Sequence, residues 1–237
     1  MIIDFKRFTN PEFVYEPYPM GVVQGFFSEC DYQILASSFP SKERFSFLKA
    51  KGSKYSLSEV NNSASYYAFL KENPHWMSLY RALKSEQFIP SVFLFLKHHM
   101  IDLGISYKRQ FPLFWRKNLS TRFEFSLLPA SGGHILPHTD APNKIVTLVV
   151  AMCLPDEWDG AWGGGTSMLR PKDITRNYNH TNRYLSFDET AVIRTFPFVP
   201  NQCLFFIKTF NSLHAVAPMT GTVGMRKTLT INIERHG

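Results

Sequence analysis

From residue 119 onward the chain alternates. In TRFEFSLLP, Phe123, Phe125 and Leu127 fall on one parity and Arg122, Glu124 and Ser126 on the other. Successive side chains of an extended strand point to opposite faces, so this is the pattern of a half-buried strand. Ile145 to Leu154 is an apolar run of buried-strand character, and shorter runs follow at Ala191 to Phe196, Cys203 to Lys208, His214 to Ala217 and Thr228 to Ile233. Turn-forming clusters divide them: SGG at 131–133, DGAWGGG at 159–165, VPN at 199–201 and APMTGTVG at 217–224. Short strands between turn signals predict a β-sandwich or barrel.

The first half reads differently. FFSECDYQILASSF, from Phe26 to Phe39, has helical spacing, with Ser28 placed to cap it, Glu29 and Asp31 in its first turn and Pro40 to end it. Ser65 to Asn73 and Pro74 to Ser85 are also helix-like; Pro74 suits a first helical position, and Trp76, Leu79, Tyr80 and Leu83 share a face. A further apolar helix is expected from Ser91 to Leu103, stopped by Gly104. Ser41 to Asn62, with Lys42, Arg44, Lys49, Lys51 and Lys54, reads as a solvated loop or lid. The aromatic and basic stretch SYKRQFPLFWRK at 106–117 reads as a loop packed on the core. No internal repeat and no low-complexity tract is visible. The expectation is one α+β domain over 1–237: residues 1–118 as helical support and substrate lid, and 119–237 as the β core.

Composition narrows the class. The chain has 237 residues, 44% hydrophobic and 19% charged, enough for a large apolar core and far from a disordered composition. Phe occurs 22 times, so that core should be aromatic. The longest apolar run, broken by Thr147, falls well short of the roughly 18 residues of a membrane span. MIIDFKRF carries Asp4, Lys6 and Arg7 where an export signal needs an apolar stretch, and three cysteines at wide spacing (Cys30, Cys153, Cys203) suit a reduced, cytosolic protein. The net charge is +7, with a surplus of five in residues 1–118 and two in 119–237. That mild excess favours an anionic substrate and does not require nucleic acid.

Three side chains carry the chemistry: His138 and Asp140 in GGHILPHTD, and His214 in FNSLHAVAP. In an extended segment residues i and i+2 point the same way, so the imidazole and the carboxylate can bind one metal. A second imidazole from a neighbouring strand completes a two-His, one-carboxylate face with open positions, the arrangement of oxygen-activating ferrous sites. Arg226 and Thr228 lie at i and i+2 of the strand RKTLTINI, share a face, and can together hold a carboxylate.

With these motifs the sequence resembles the ferrous, 2-oxoglutarate-dependent dioxygenases, near the prolyl-4-hydroxylase-like branch. The resemblance rests on HILPHTD, on WGGGT at 162–166, on VPNQCLFF before His214, and on HAV followed by RKTLTINI; it covers roughly residues 119–237. It implies a double-stranded β-helix of the jelly-roll or cupin kind, with the N-terminal helices packed on one sheet. It implies iron held by His138, Asp140 and His214, and 2-oxoglutarate held by Arg226 and Thr228. The reaction implied consumes O2, releases succinate and CO2, and hydroxylates an unactivated carbon of a small molecule or peptidyl residue. Many members of that branch use Lys at the anchoring position; here Arg226 is favoured for its planar fork, with Lys227 facing the other way. Halogenating relatives lack the acid, and Asp140 is present. Alkylation-repair relatives carry Arg-x-Asn-x5-Arg, and Thr228 stands where the Asn should be.

Two other readings remain: a cupin-type metal-binding barrel acting without 2-oxoglutarate, as an isomerase or binding module, and a nucleic-acid-modifying oxygenase. Arg122, Lys144, Asn211 and Trp162 are candidate substrate residues, each equally readable as ordinary surface or packing. His134, four before His138, is second-sphere or surface, because Pro137 and the glycines disfavour a zinc-binding helix there. WGGGT lacks the Gly-Lys-Ser/Thr ending of a phosphate loop and reads as a turn near the site.

Overall fold

The computed structural model describes residues 3–48, 53–105 and 119–235. Its centre is the strand that the alternation marks. β5 (Leu119–Ser131) pairs along nearly its whole length with the last strand, β12 (Thr220–Arg235), in antiparallel register: Arg122 opposite Asn232, Ser126 opposite Thr228, Leu128 opposite Arg226. On the other side of β12 lies β7 (Lys144–Ala151), with Thr147 opposite Asn232, and then β10 (Cys203–Ile207). Four strands from the first half complete this sheet: β1 (Glu12–Val14) and β2 (Met20–Val23) at one edge, β3 (Ser46–Leu48) and β4 (Lys54–Ser58) at the other. The order is β1-β2-β10-β7-β12-β5-β4-β3. A second antiparallel sheet is built from β6 (Ile135–His138), β8 (Thr166–Pro171), β9 (Thr190–Phe196) and β11 (His214–Val216), in the order β6-β11-β8-β9.

One face of the large sheet is apolar and carries four helices. These are α1 (Glu29–Ser37), α2 (Ser63–Glu72), α3 (Pro74–Leu83) and α4 (Phe88–His98). Phe123, Phe125, Leu148, Leu229, Ile231 and Ile233 from the strands form one core with Tyr32, Phe69, Trp76, Leu79, Val92 and Phe95 from the helices. Phe125 is the hub: it meets Trp76, Phe69 and Phe39 edge-on, at 4.7, 5.4 and 5.5 Å between ring centroids. The fully buried Trp76 keeps its indole N–H satisfied by donating to the Ser38 carbonyl at 3.0 Å. Burying side chains of this size is worth about 1.5–3 kcal/mol each, which makes the helical layer an integral part of the sheet's stability.

The other face of the large sheet meets the small sheet. Met20, Leu204 and Phe206 pack there against Met168 and Phe196. Among the described residues no helix is long and apolar enough to cross a membrane.

Ser28 caps α1 as its position predicts, its hydroxyl accepting from the Asp31 amide, and Pro74 opens α3. Two expectations are corrected. The fourth helix begins earlier, at Phe88, and ends at His98 rather than reaching Gly104, because Met100 turns the chain with φ 61°. The basic segment at 41–62 is not one solvated loop: its Lys54–Ser58 stretch is inserted into the large sheet beside β5, with Leu57 buried in the helical core. Lys49, Lys51 and the stretch at 106–117 lie outside the described residues.

Candidate metal centre and its cavity

His138 ends β6 and His214 begins β11, and the two are cross-strand partners. Directly opposed residues on antiparallel strands keep their side chains within touching distance, and here the imidazole centroids are 4.4 Å apart. Each ring is oriented by its own backbone. His138 Nδ1–H donates to the Leu136 carbonyl at 2.8 Å and His214 Nδ1–H to the Ser212 carbonyl at 2.9 Å. A carbonyl can only accept, so both rings carry their proton on Nδ1 and present a bare Nε2. The chain ahead of His214 is pinned by Tyr18, whose hydroxyl donates to the Leu213 carbonyl.

Asp140 follows two residues after His138, just beyond the strand, with one carboxylate oxygen 3.9 Å from His138 Nε2. That gap is within the about 4 Å that two metal–ligand bonds of about 2.1 Å can bridge. The ligating atoms of His138, Asp140 and His214 all lie within 4.8 Å of one another. Lys144 Nζ donates to Asp140 Oδ1 at 2.9 Å, and Thr147 Oγ1 lies 2.8 Å from Oδ2 and 3.1 Å from Asn232 Oδ1. Burial works against the charged carboxylate, but the Lys144 ammonium and the two imidazoles outweigh it and hold Asp140 well below the usual carboxylate range. Burial, reinforced by the neighbouring His214, brings His138 down to about 3, and burial also lowers His214. Both imidazoles are therefore neutral and the carboxylate ionised at neutral pH, the protonation states a divalent cation requires.

The three groups face a cavity of about 180 Å3 between the sheets. A single water needs roughly 10–15 Å3 on this measure, so the space admits a molecule of many atoms. Arg226 and Thr228 line the same cavity, as do Arg122 and Lys144. Arg226 is only 4% exposed and burial brings it down to about 10. Its Nε–H donates to the Gly164 carbonyl at 2.7 Å, and its guanidinium stacks on Phe198, 4.4 Å from the ring centroid. This explains WGGGT: Gly164 has φ +76°, and a Cβ there would lie 2.7 Å from the Trp158 ring and 3.3 Å from Arg226 Cδ. Among the described residues no carboxylate pairs with Arg226. Lys227, on the other parity, forms an ion pair with Glu157 at 2.5 Å and does not line the cavity.

Two of the candidate substrate residues lie elsewhere. Asn211 is a loop brace, its amide donating to the Pro17 carbonyl. Trp162 packs over Gly221 and against Trp158, in the aromatic cluster with Phe198. His134 sits at the turn, its Nδ1–H on the Gly132 carbonyl. The sequence reading missed Thr147, Tyr184 and Asn232, all of which line the cavity. Asn232 was within reach of the parity argument, being the sixth residue on from Arg226. Tyr184 was not: it stacks on His138 at 5.3 Å from the loop between β8 and β9, which carries no periodic signal. That loop is tied to the turn that carries His138 and Asp140 by the Leu185 amide donating to Pro137 and the Thr139 hydroxyl donating to Asn179.

No family model and no curated protein matches the chain. Solved structures do. A prolyl-4-hydroxylase of Pseudomonas putida aligns over 92% of this chain and 93% of its own, at 14% identity and a TM-score of 0.51. An oxidoreductase of the 2OG-Fe(II) oxygenase family from Burkholderia pseudomallei aligns over 92% and 84%, at 12% identity and 0.52. A prolyl hydroxylase from Trichoplax adhaerens, solved with a hypoxia inducible factor oxygen degradation domain peptide fragment, aligns over 98% and 87%, at 11% identity and 0.50. The chain shares the fold of these proteins.

Proposed function

We propose that the protein is an Fe(II)- and 2-oxoglutarate-dependent dioxygenase, its two sheets forming a double-stranded β-helix around the cavity. The observation that carries this is Arg226: a buried guanidinium without a carboxylate partner among the described residues, lining the same cavity as two bare imidazole nitrogens and an ionised carboxylate. Burying a cation is costly unless an anion meets it, so the cavity is built to receive one. The donor set suits ferrous iron, and the cavity that the triad shares with Arg226 has room for a small dicarboxylate.

His138, Asp140 and His214 would hold the iron. Arg226 would pair with the distal carboxylate of 2-oxoglutarate, with the Thr228 hydroxyl beside it. Iron, 2-oxoglutarate and O2 together supply the oxidation: substrate C–H becomes C–OH while 2-oxoglutarate is converted to succinate and CO2. The protein's own part is geometric. Thr147 and Lys144 fix the Asp140 carboxylate, the Leu136 and Ser212 carbonyls fix the imidazole tautomers, and the β8–β9 loop holds Tyr184 against the His138 ring. The substrate is a small molecule or a peptidyl residue, and the basic composition favours an anionic one. The three free cysteines support a reducing, cytosolic setting.

The test is succinate formation from 2-oxoglutarate with ferrous iron, before any substrate is added. Slow uncoupled turnover that needs both iron and 2-oxoglutarate is the expected result. Tight metal binding with neither 2-oxoglutarate binding nor turnover would transfer the protein to the cupin-type reading.

A further inference from the structure

The cavity holds a second guanidinium whose position separates it from the first. Arg122 sits on β5 directly opposite Asn232, and Asn232 is directly opposite Thr147, which contacts Asp140. Arg122 is thus on the same cross-strand row as the metal-binding carboxylate's support, two strands away, or roughly 10 Å at the usual spacing. Arg226 faces Leu128, six residues further along β5, roughly 20 Å at the usual rise. The two side chains also diverge. Arg226 is held by Gly164 and Phe198, whereas Arg122 donates to Glu234 at 2.7 Å, one row further from Arg226. One small dicarboxylate at Arg226 therefore leaves Arg122 without a role in holding it.

Arg122 is not fully used by its ion pair. Its Nε is buried and has no hydrogen-bond partner among the described residues, a rare and costly state for a donor. The charges point the same way. Among the described residues, Lys54, Arg122, Lys144 and Arg226 line the cavity, against Glu124, Asp140 and the Glu234 that pairs with Arg122. A bound divalent cation and a bound 2-oxoglutarate dianion cancel, so one positive charge is left over in a low-dielectric space. We infer that the substrate carries one carboxylate, that Arg122 is the subsite for it, and that the carbon to be oxidised lies between Arg122 and the metal ligands. This rests on the dioxygenase reading, because the balance counts the metal and the cosubstrate.

The test uses the two arginines as separate reporters. In protein loaded with zinc, the Nε–H resonances of Arg122 and Arg226 are assigned with Arg122→Lys and Arg226→Lys variants. Adding 2-oxoglutarate is expected to move Arg226. Acetate added next, as the simplest monocarboxylate probe, is expected to move Arg122 saturably, at least about tenfold tighter than the isosteric acetamide, as a charge-assisted pair requires. In the paired variant Arg122→Gln with Glu234→Gln, which leaves no buried charge unpartnered, acetate and acetamide should bind alike. An Arg122 signal that ignores acetate, or answers acetamide equally, overturns the acid subsite while the response of Arg226 keeps the dioxygenase reading intact. An Arg226 signal that ignores 2-oxoglutarate overturns that reading and the charge balance with it.

Discussion

The two faces of the large sheet are made by the same strands and do opposite work. On β12, Leu229, Ile231 and Ile233 enter the aromatic core beneath the helices, while Arg226, Thr228, Thr230 and Asn232 line the cavity. On β5, Phe123 and Phe125 face the helices, while Arg122, Glu124 and Ser126 face the cavity. Alternation of this kind usually separates core from solvent. Here both faces are covered, and the polar one lines the cavity that holds the His138, Asp140 and His214 cluster and Arg226. Stability and chemistry are thereby assigned to residues of opposite parity, one position apart.

The sharpest way to break that division is Asp140→Ala. Metal affinity should fall at least about 100-fold, beyond what loss of an outer-sphere partner costs, and turnover should vanish while the helical core stays intact. Titration with ferrous or manganous ion, alongside a melting curve, reads both halves. An undiminished metal affinity would remove Asp140 from the ligand set. Second, Ile231→Ala should cost about 2–5 kcal/mol of stability in a urea melt and leave 2-oxoglutarate affinity unchanged in the folded protein. A selective loss of cosubstrate binding would show that the faces are not independent. Third, Arg226→Ala should raise the 2-oxoglutarate requirement about 30-fold or more, the loss expected for one partner of a buried charge pair, with metal binding largely retained. A variant that matches the parent would pass the anchoring role to Lys144, since Lys227 is committed to Glu157.

Per pH unit, the smallest effect is graded and concerns acid. The folded-state value of His138, about 3, lies below its ordinary 6.5. Between these values the unfolded chain binds a proton that the folded chain refuses, so stability falls as the pH drops below about 6.5 and levels off towards 3. The slope contributed by His138 is up to about 1.4 kcal/mol per pH unit, and the lowered His214 acts in the same direction. Urea midpoints of the metal-free protein across this range check it. His138→Gln should flatten the curve, and a variant as acid-sensitive as the parent would place the effect elsewhere.

Much of this was legible from short-range pattern. Parity marked β5 and the far half of β12; capping chemistry marked α1; Pro74 marked α3. The signals that failed were those that tertiary structure overrides. Lys54–Ser58 looks solvated because its polar residues are many, yet Ser56 and Ser58 are buried beside β5, where the cavity accepts polar side chains. Gly104 looked like the end of the fourth helix, but Met100 turned first. Asn211 lies three residues before His214 and Trp162 beside the glycine turn, yet nearness in the chain did not bring either to the cavity.

The ligand types, the i and i+2 spacing of His138 with Asp140, and the shared face of Arg226 with Thr228 are properties of the chain alone, because strand geometry repeats every two residues whatever the fold. That His214 stands opposite His138, that Thr147 and Lys144 grip the carboxylate, and that Gly164 and Phe198 cradle Arg226 are decided by register and turn geometry across distances of up to 76 residues. Those choices depend on how the sheets and helices pack at once, which no local stretch encodes.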